Sequence, residues 1–395
     1  MTVSRRKLMQ YAVHSTKVLL PLTIAGALYH RPLPDLSEGE WGGSPWKERK
    51  VTENDERNGR MFSPRCQYTG LGPSPRKSET EGTISSLPST TLMNLITGLG
   101  FRISQMIALN VINFVIHVGM NYYNTFTLLK DDHYDFLIQT IRQETNNPGS
   151  NKAVITVSNH NSTIDDPVLF GLLLPWDLKL RPMKIRWTLC SQEICFKNPA
   201  IAAMFGAGKV LPIRRQGGID QPLLLEFARK IAGGDWVHVF PEGKTNQGGT
   251  LGANYFGTRS REEAANIGRL KWGVGKLIAH SPKEVICVPF YNTGMEGVVP
   301  QKETGEIVYV YPMGGNHVQI RVGGRIYFED LIAEHESIHG PLKKYTTTPT
   351  NGSGNGIHMW KSTEEEKLLY SRITKRIEDQ LLDLERITSV YKNKR

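Results

Sequence analysis

The sequence contains little cysteine, and its four cysteines are scattered along 395 residues. Cys66, Cys190, Cys195 and Cys287 fit neither a disulfide framework nor the paired spacing of a zinc site. We therefore expect these thiols to be buried or without a chemical role.

Signatures of several other functions are also absent. The chain has no G-x-S-x-G sequence, which would mark a serine nucleophile on a strand-to-helix turn, and no zinc-binding signature. It lacks zinc-finger spacing, an RNA-binding signature and any Lys/Arg block with interleaved aromatic residues. We therefore expect no metal, no other cofactor and no nucleic-acid partner.

The chain does carry an excess of positive charge. Its 48 Lys and Arg residues exceed its 38 Asp and Glu residues, which gives a formal net charge of +10. Such a balance favours anionic partners, here acidic lipid surfaces or phosphorylated substrates. The sequence leaves the oligomeric state open, a homo-oligomer included.

The N-terminal 90 residues do not look like part of a folded core. Residues 1–34 contain several Lys and Arg residues and no acid, and their apolar run, Val18–Tyr29, is shorter than the ~20 residues that a membrane-spanning helix needs. This predicts a basic targeting segment or a surface anchor. Residues 35–90 are rich in Ser, Pro, Gly and mixed charges, which predicts a disordered linker.

The next segment is unusual because it has no charged residue between Ile103 and Leu129. It is long enough to span a membrane, yet Asn and Gln recur through it, and polar amides are costly in hydrocarbon unless they are paired. A helix or a pair of helices lying in the membrane interface suits this composition. The alternative is a buried amphipathic helix of the folded domain.

Strands and helices alternate from about residue 151 to 330. The predicted strands are "AVITVSN", "KVLPIRR", "DWVHVF", "VICVPFYNTG" and "HVQIRVGGRIYF", and the predicted helices between them are "DDPVLFGLLL", "PLLLEFARKIAGG" and "GRLKWGVGKLIAHS". This order predicts an α/β domain, residues 91–345, with helices on both faces of a sheet.

A flexible linker, residues 346–361, precedes a predicted C-terminal amphipathic helix, residues 362–395. Ser362 and Glu365 have the spacing of a capping box. Apolar residues then recur at helical spacing, namely Leu369, Ile373, Ile377, Leu381 and Leu384, and packing against a core explains them.

The candidate catalytic pair is His160 and Asp165, spaced H-x4-D within "TVSNHNSTIDDP". His30 and Asp35 have the same spacing, but they lie between an apolar patch and a polar linker. His160 instead lies where a predicted buried strand becomes a helix, a place where α/β folds usually hold their chemistry. Asp165 can then fold back to accept from one ring nitrogen and leave the other as a base. The alternative is that Asp165 and Asp166 only cap the helix.

Two further strand ends carry candidate binding residues. "GKVLPIRR" ends in Arg214 and Arg215, and arginine binds phosphate through two parallel hydrogen bonds. "WVHVFPEGK" ends in a Pro–Gly turn that contains Glu242 and Lys244. Each feature alone also fits a surface arginine or an ordinary β-turn, so their order along the chain is the stronger observation.

That order resembles the glycerophospholipid acyltransferases. The four matching blocks are His160-x4-Asp165, Gly208-x5-Arg214, Phe240-Pro241-Glu242-Gly243 and Val288-Pro289. Among these enzymes the extended blocks "TVSNHNSTIDDP", "IRWTLCSQEICF", "GDWVHVFPEGK" and "RLKWGVGKLI" are similar to those of the tafazzin family. The resemblance covers roughly residues 150–300.

The resemblance implies an acyltransferase-type mixed sheet with an N-terminal membrane-associated helix, and a role for each matched residue. His160 would be the general base on the acceptor hydroxyl and Asp165 its orienting carboxylate. Arg214 would hold the lipid phosphate, Glu242 and Gly243 would shape the acceptor pocket, and Gly208 would be a further substrate-binding residue.

It also implies CoA-independent acyl exchange between phospholipids and lysophospholipids, including cardiolipin. The expected location is peripheral on a mitochondrial membrane, facing the intermembrane space. Two alternatives share the His160 chemistry: an acyl-CoA-dependent lysophospholipid acyltransferase and an N-acylphosphatidylethanolamine synthase. A third is a membrane-shaping scaffold with vestigial catalytic residues.

Overall fold

The structure is a computed structural model that describes residues 116–215, 217–247, 268–302, 305–309, 311–345 and 360–392, together with residues 103, 105–107, 109–111, 113 and 114. The predicted targeting segment, the linker 35–90, most of the linker 346–361 and the His30–Asp35 pair lie outside these residues.

A mixed sheet forms the centre of the domain. Its strands are β1 (Thr125–Leu129), β2 (Lys152–Ser158), β3 (Thr188–Ser191), β4 (Val210–Ile213), β5 (Val237–Val239), β6 (Glu284–Thr293) and β7 (His317–Val322). Five strands are ordered β1-β7-β6-β2-β5, and β3 pairs with β4 in a second small sheet. All pairings are parallel except β6 with β7. This confirms the predicted α/β class.

Helices cover both faces of the sheet. They are α1 (Gln105–Tyr123), α2 (Asp132–Glu144), α3 (Asp165–Leu173), α4 (Trp176–Lys179), α5 (Gln192–Cys195), α6 (Pro199–Ala207), α7 (Pro222–Ala232), α8 (Gly273–Ala279), α9 (Met295–Val298), α10 (Glu329–His339) and α11 (Glu364–Lys392). Alternate residues of β2 point to opposite faces. Ile155 therefore packs with α7, α8 and α11, and Val154 packs with α2 and α3.

Helix α11 is part of this core. Leu369, Ile373, Ile377 and Leu381 are each no more than 1% exposed. The helix lies so close to α8 that a Cβ added at Gly275 would be 2.4 Å from the carbonyl oxygen of Tyr370. Only glycine permits this approach, so the apolar stripe read from the sequence is a core-packing stripe.

The capping box of α11 lies one residue later than predicted. The backbone N–H of Thr363 donates to Glu366 at 3.0 Å, and the backbone N–H of Glu366 donates to the Thr363 hydroxyl at 3.2 Å. The prediction of Ser362 with Glu365 was wrong because the buried Ser362 hydroxyl donates elsewhere, to Asp220.

Helix α1 exposes apolar side chains, whereas α11 buries those of its stripe. It is long and apolar enough to cross a membrane by length and composition, but only 20% of it is buried. Its outward side chains are 42–79% exposed and apolar or aromatic, namely Met106, Ile107, Val111, Phe114, Val118 and Tyr122. Gln105 and Asn113 instead face the domain and are buried.

Two of the four cysteines also differ from expectation. Cys190 and Cys195 form a disulfide bond, so the prediction of thiols without a chemical role was wrong for this pair. Cys190 ends up beside Cys195 because helix α5 turns the chain back directly after β3. Cys287 is a buried free thiol.

Candidate active site

The candidate site lies where parallel strands β2 and β5 end side by side. Val157 pairs with Val239, so residues three positions further along each chain arrive at the same edge of the sheet. His160 and Glu242 meet there, and the backbone N–H of His160 donates to Glu242 Oε1 at 2.8 Å. The sheet register therefore joins two motifs that are 82 residues apart in the chain.

The imidazole of His160 is paired with the carboxylate of Asp165. Nδ1 of His160 lies 2.9 Å from Asp165 Oδ2, and the same oxygen accepts from the backbone N–H groups of Asn161 at 2.6 Å and Ser162 at 2.9 Å. Burial raises the pKa of Asp165, and these hydrogen bonds oppose the rise. The carboxylate is thus fixed in place before any substrate arrives.

This pairing decides which ring nitrogen is available. An ionised carboxylate only accepts hydrogen bonds, so Nδ1 carries the proton and Nε2 carries the lone pair. Within the described residues, Nε2 has no hydrogen-bond partner. The His160 side chain is 20% exposed whereas that of Asp165 is fully buried. A substrate can therefore reach Nε2 but not the carboxylate behind it.

The neighbouring Asp166 does not cap helix α3. The N-cap position is Ile164, which makes no side-chain capping bond, so the expectation that an aspartate caps this helix was wrong. Asp166 instead forms a buried ion pair with Arg186. Burial lowers the pKa of Arg186 to about 9, which leaves it protonated at neutral pH. No local sequence pattern identifies this partner, because Arg186 lies on a separate segment before β3.

The Phe240–Gly243 turn holds the backbone around His160. Its N–H at Gly243 donates to the carbonyl of Phe240 at 3.1 Å, and Gly243 has φ +71°, which suits glycine. Glu242 is 2% exposed and accepts from the side chain of Asn246 at 3.0 Å. Asn246 N–H in turn donates to the His160 carbonyl at 2.7 Å. Glu242 and Asn246 thus clamp both backbone polar groups of His160.

A second histidine, His238, contacts Phe240, which in turn stacks on His160. His238 was not among the residues predicted from the sequence. Phe240 stacks on the His160 ring at 4.2 Å and makes an edge contact with His238 at 4.4 Å. Thr156 and Ser158 contact the two ring nitrogens of His238 at 2.9 and 3.3 Å. Burial, followed by the charges of Arg186 and His160, lowers the pKa of His238 well below 6.5, so this ring is neutral.

The remaining predicted site residues lie further away. Arg214 directly follows β4 and lies at the same sheet edge as His160, because β3 bridges to β5 through Trp187 and Val237. Strands β4 and β2 are three positions apart, which corresponds to about 14 Å. Gly208 precedes β4, at the opposite end of that strand, where its carbonyl accepts from Arg186 at 3.3 Å. The structure brings His160, Asp165, Glu242 and Gly243 together, but it separates Gly208 from them.

The arrangement can transfer a proton at the second ring nitrogen of His160. Among the described residues, no group of three or more His, Cys, Asp and Glu side chains is placed to hold a metal ion. A fixed carboxylate behind an accessible imidazole is the arrangement that activates a hydroxyl group as a nucleophile.

Comparisons with known proteins identify an acyltransferase domain. The acyltransferase family model matches residues 138–293, which include all of the site just described. The chain is 32% identical to N-acylphosphatidylethanolamine synthase of Arabidopsis thaliana over 58% of this chain and 75% of that protein.

Three tafazzins are also similar. Identity is 37% with tafazzin of Drosophila melanogaster, over 46% of this chain and 42% of that protein. It is 26% with tafazzin of Saccharomyces cerevisiae, over 54% of this chain and 62% of that protein. The match to the Dictyostelium discoideum protein has 32% identity over 58% of that protein. The chain thus spans about half of the length of these tafazzins. The chain therefore belongs to the glycerophospholipid acyltransferase family of enzymes, and within that family it resembles the tafazzins, as its motifs predicted.

Proposed function

We propose that this enzyme is a phospholipid–lysophospholipid transacylase that remodels the acyl chains of cardiolipin and other phospholipids without CoA. The observation that carries the proposal is the His160–Asp165 pair, held at 2.9 Å with the His160 side chain 20% exposed and the Asp165 side chain fully buried. The similarity to three tafazzins supports the choice of phospholipid as acyl donor.

The proposed reaction is a direct transfer through a tetrahedral intermediate. His160 Nε2 takes the proton from the hydroxyl of the lysophospholipid as its oxygen attacks the ester carbonyl of the donor phospholipid. The intermediate collapses, the ester bond to the donor breaks, and the imidazolium returns the proton to the departing alkoxide. Asp165 keeps the ring in the reactive tautomer and stabilises its transient positive charge. The products are a new phospholipid and a new lysophospholipid.

The other site residues have supporting roles in this proposal. Arg214 binds the phosphate of one lipid, since it directly follows β4 at the same edge of the sheet as His160. Glu242 and Gly243 shape the acceptor pocket by fixing the backbone of His160 and the tight turn beside it. Gly208 acts at a distance, because its carbonyl accepts from Arg186, the partner of Asp166.

The enzyme is proposed to work from a membrane surface containing anionic lipids. Helix α1 exposes apolar side chains and buries the amides of Gln105 and Asn113, which is the arrangement expected of a helix that faces lipid rather than a protein core. The net charge of +10 favours anionic lipids. We place the enzyme on a mitochondrial membrane facing the intermembrane space. The disulfide between Cys190 and Cys195 supports a location outside the reducing cytosol.

A second candidate function is the N-acylation of phosphatidylethanolamine. The similarity that favours it covers 75% of the plant synthase. The same imidazole would then take the proton from the amine of the head group, and the product would be an amide instead of an ester.

Mixed liposomes distinguish these activities. Purified enzyme is added without CoA to vesicles of acyl-labelled phosphatidylcholine, monolysocardiolipin and phosphatidylethanolamine. A second reaction contains the same lipids unlabelled together with acyl-labelled acyl-CoA. Transacylation predicts label in cardiolipin without CoA. Label in N-acylphosphatidylethanolamine supports the second candidate, while transfer only from acyl-CoA, or no transfer in either condition, contradicts the proposal.

The membrane surface has its own test. Phe114→Glu places a charge in the middle of the exposed face of α1, so we expect at least tenfold weaker sedimentation with anionic vesicles and an unchanged thermal unfolding midpoint. Ile338→Glu is the control, because Ile338 is 68% exposed on a different helix, α10. Equal losses of binding in both variants would show that α1 is not the lipid-facing element.

A further inference from the structure

A partly buried charged cluster connects the C-terminal segment to the loop between β4 and α7. We define the Asp220 cluster as Asp220, Lys276 and Ser362. The Ser362 hydroxyl donates to Asp220 Oδ1 at 2.6 Å and its backbone N–H donates to Oδ2 at 3.2 Å. The ammonium of Lys276 lies 2.6 Å from Asp220 Oδ1 and 3.0 Å from the Ser362 hydroxyl.

Because Lys276 and Ser362 are buried, their polar groups need hydrogen-bond partners within the protein. Lys276 is 2% exposed and Ser362 is 4% exposed, and the Lys276 ammonium also lies 5.0 Å from the ring centre of Trp360. An ammonium group in such surroundings requires an anionic partner and hydrogen-bond acceptors. Asp220 and Ser362 supply both, so the cluster holds three separate segments of the chain at one point.

Gln221, which follows Asp220 in the chain, connects the Asp220 cluster to Arg214. Gln221 accepts from the backbone N–H of Arg214 at 2.9 Å, and its side-chain amide donates to the Arg214 carbonyl at 3.3 Å. The same amide donates to the carbonyl of Gly218 at 2.8 Å. Gln221 therefore fixes both backbone groups of Arg214, and Asp220 fixes Gln221.

We infer that Ser362, Asp220 and Gln221 are positioning residues for Arg214, so that the C-terminal segment sets the affinity of the active site for the lipid phosphate. The inference rests on the proposed role of Arg214 in binding that phosphate. None of the three residues takes part in proton transfer, and all lie on the β4 side of the site. Loss of the cluster therefore weakens lipid binding without impairing the His160 chemistry.

Other contacts hold α11 in place without touching this loop. The apolar stripe from Leu369 to Leu381 packs in the core, and Arg376 makes two hydrogen bonds to Asp330 of α10 at 2.6 and 2.7 Å. Removing the Ser362 hydroxyl should therefore loosen the Arg214 loop without detaching the helix.

The test compares KM and kcat for lysophospholipid in the liposome assay with the full-length enzyme. For Ser362→Ala and for Gln221→Ala we expect KM to rise about tenfold, with kcat within twofold of the wild-type value. The first removes the hydroxyl that binds Asp220, and the second removes the side-chain bonds to the Arg214 backbone. Ser362→Thr keeps the hydroxyl and should restore KM. Arg376→Ala, which removes a contact of the same helix remote from Arg214, should leave KM unchanged. Gln221→Ala alters a surface loop and keeps the test valid if Ser362→Ala fails to fold.

The Arg214→Ala variant distinguishes failure of this inference from failure of the proposed role of Arg214 in binding the lipid phosphate. If Arg214→Ala raises KM and the Ser362 and Gln221 variants add nothing to it, the coupling through Arg214 is supported. A raised KM for Arg214→Ala with normal values for Ser362→Ala and Gln221→Ala overturns the inference alone. An unchanged KM for Arg214→Ala removes the phosphate role of Arg214 and the inference with it. Equal effects of Ser362→Ala and Arg376→Ala would indicate general loosening of the helix and also overturn it.

Discussion

Two histidines of this enzyme lie in polar clusters that look similar but differ in access. His160 donates from Nδ1 to Asp165, and its side chain is 20% exposed. His280 is fully buried, with Nδ1 2.5 Å from the carbonyl oxygen of Lys343 and Nε2 2.5 Å from the hydroxyl of Tyr370. A ring with both nitrogens occupied can only hold structure together. A ring with one fixed and one accessible nitrogen can exchange a proton with a substrate.

Their surroundings explain the difference. His280 ends α8, where it packs against Tyr345, Trp360 and Tyr370, and burial lowers its pKa to about 4. His160 follows a strand at the open edge of the sheet. The residue type is the same, so the position in the fold decides whether a histidine can exchange protons with a ligand or only contributes to stability.

The largest expected effect comes from removing the accessible imidazole. His160→Ala should lower the rate of acyl exchange by about 10⁴-fold, since a positioned general base contributes up to that amount. The free energy of unfolding should change little. The rate is measured by label exchange in liposomes, and vesicle sedimentation serves as the control for membrane binding. A His160→Ala enzyme that retains exchange within tenfold of the wild-type rate would contradict the assignment of His160 as base.

For the buried His280 we expect an effect on the pH dependence of the free energy of unfolding. A drop in pKa from 6.5 in the unfolded chain to about 4 in the folded protein corresponds to about 3 kcal/mol. The unfolded state binds the proton first, so this stability is present above pH 6.5 and is lost as the pH falls toward 4. His238 acts in the same direction.

Urea unfolding measured from pH 7 to pH 4 checks this expectation. His280→Gln should lower stability at pH 7 because it disturbs a buried network, but it should also flatten the acid-dependent decline. A decline as steep as that of the wild-type enzyme would mean that other groups cause it. Exchange activity per folded molecule at pH 7 should stay within twofold.

The smallest of these effects is expected for Asp165→Asn. The amide retains the shape of the carboxylate but lacks its charge, so it holds the imidazole less well and does not stabilise the imidazolium. We expect about a 10²-fold loss in kcat, or about 2.7 kcal/mol, with KM nearly unchanged. A loss confined to KM would instead place Asp165 in substrate binding.

Helices α1 and α11 show how far sequence patterns reach. Both have helical periodicity, and the stripe of Leu369, Ile373, Ile377 and Leu381 was correctly expected to pack against a core. In α1 the sequence favoured a membrane interface from composition alone, and the structure shows its apolar side chains exposed. Periodicity identifies the apolar face of a helix, but neighbouring elements decide whether that face is covered.

Ser362 and Thr363 show a limit of local motifs. Both are followed three residues later by a glutamate, so the sequence offers two equivalent capping boxes. The structure uses Thr363 because Asp220, which is 142 residues away, takes the Ser362 hydroxyl. In the same way, the sequence predicts Asp166 as a helix cap, but its carboxylate forms an ion pair with Arg186 instead.

The sequence by itself determined the α/β class, the strand that leads to His160 and the proximity of His160 to Asp165. These features follow from local hydrophobic patterns and from spacing within one loop. Tertiary structure decided that Glu242 clamps the His160 backbone, that Gly208 lies away from Arg214, and that Cys190 pairs with Cys195. It also placed the neutral His238 beneath the site and Ser362 beside Asp220. Such contacts depend on strand register and on which buried charge meets which partner, and no short stretch of sequence specifies either.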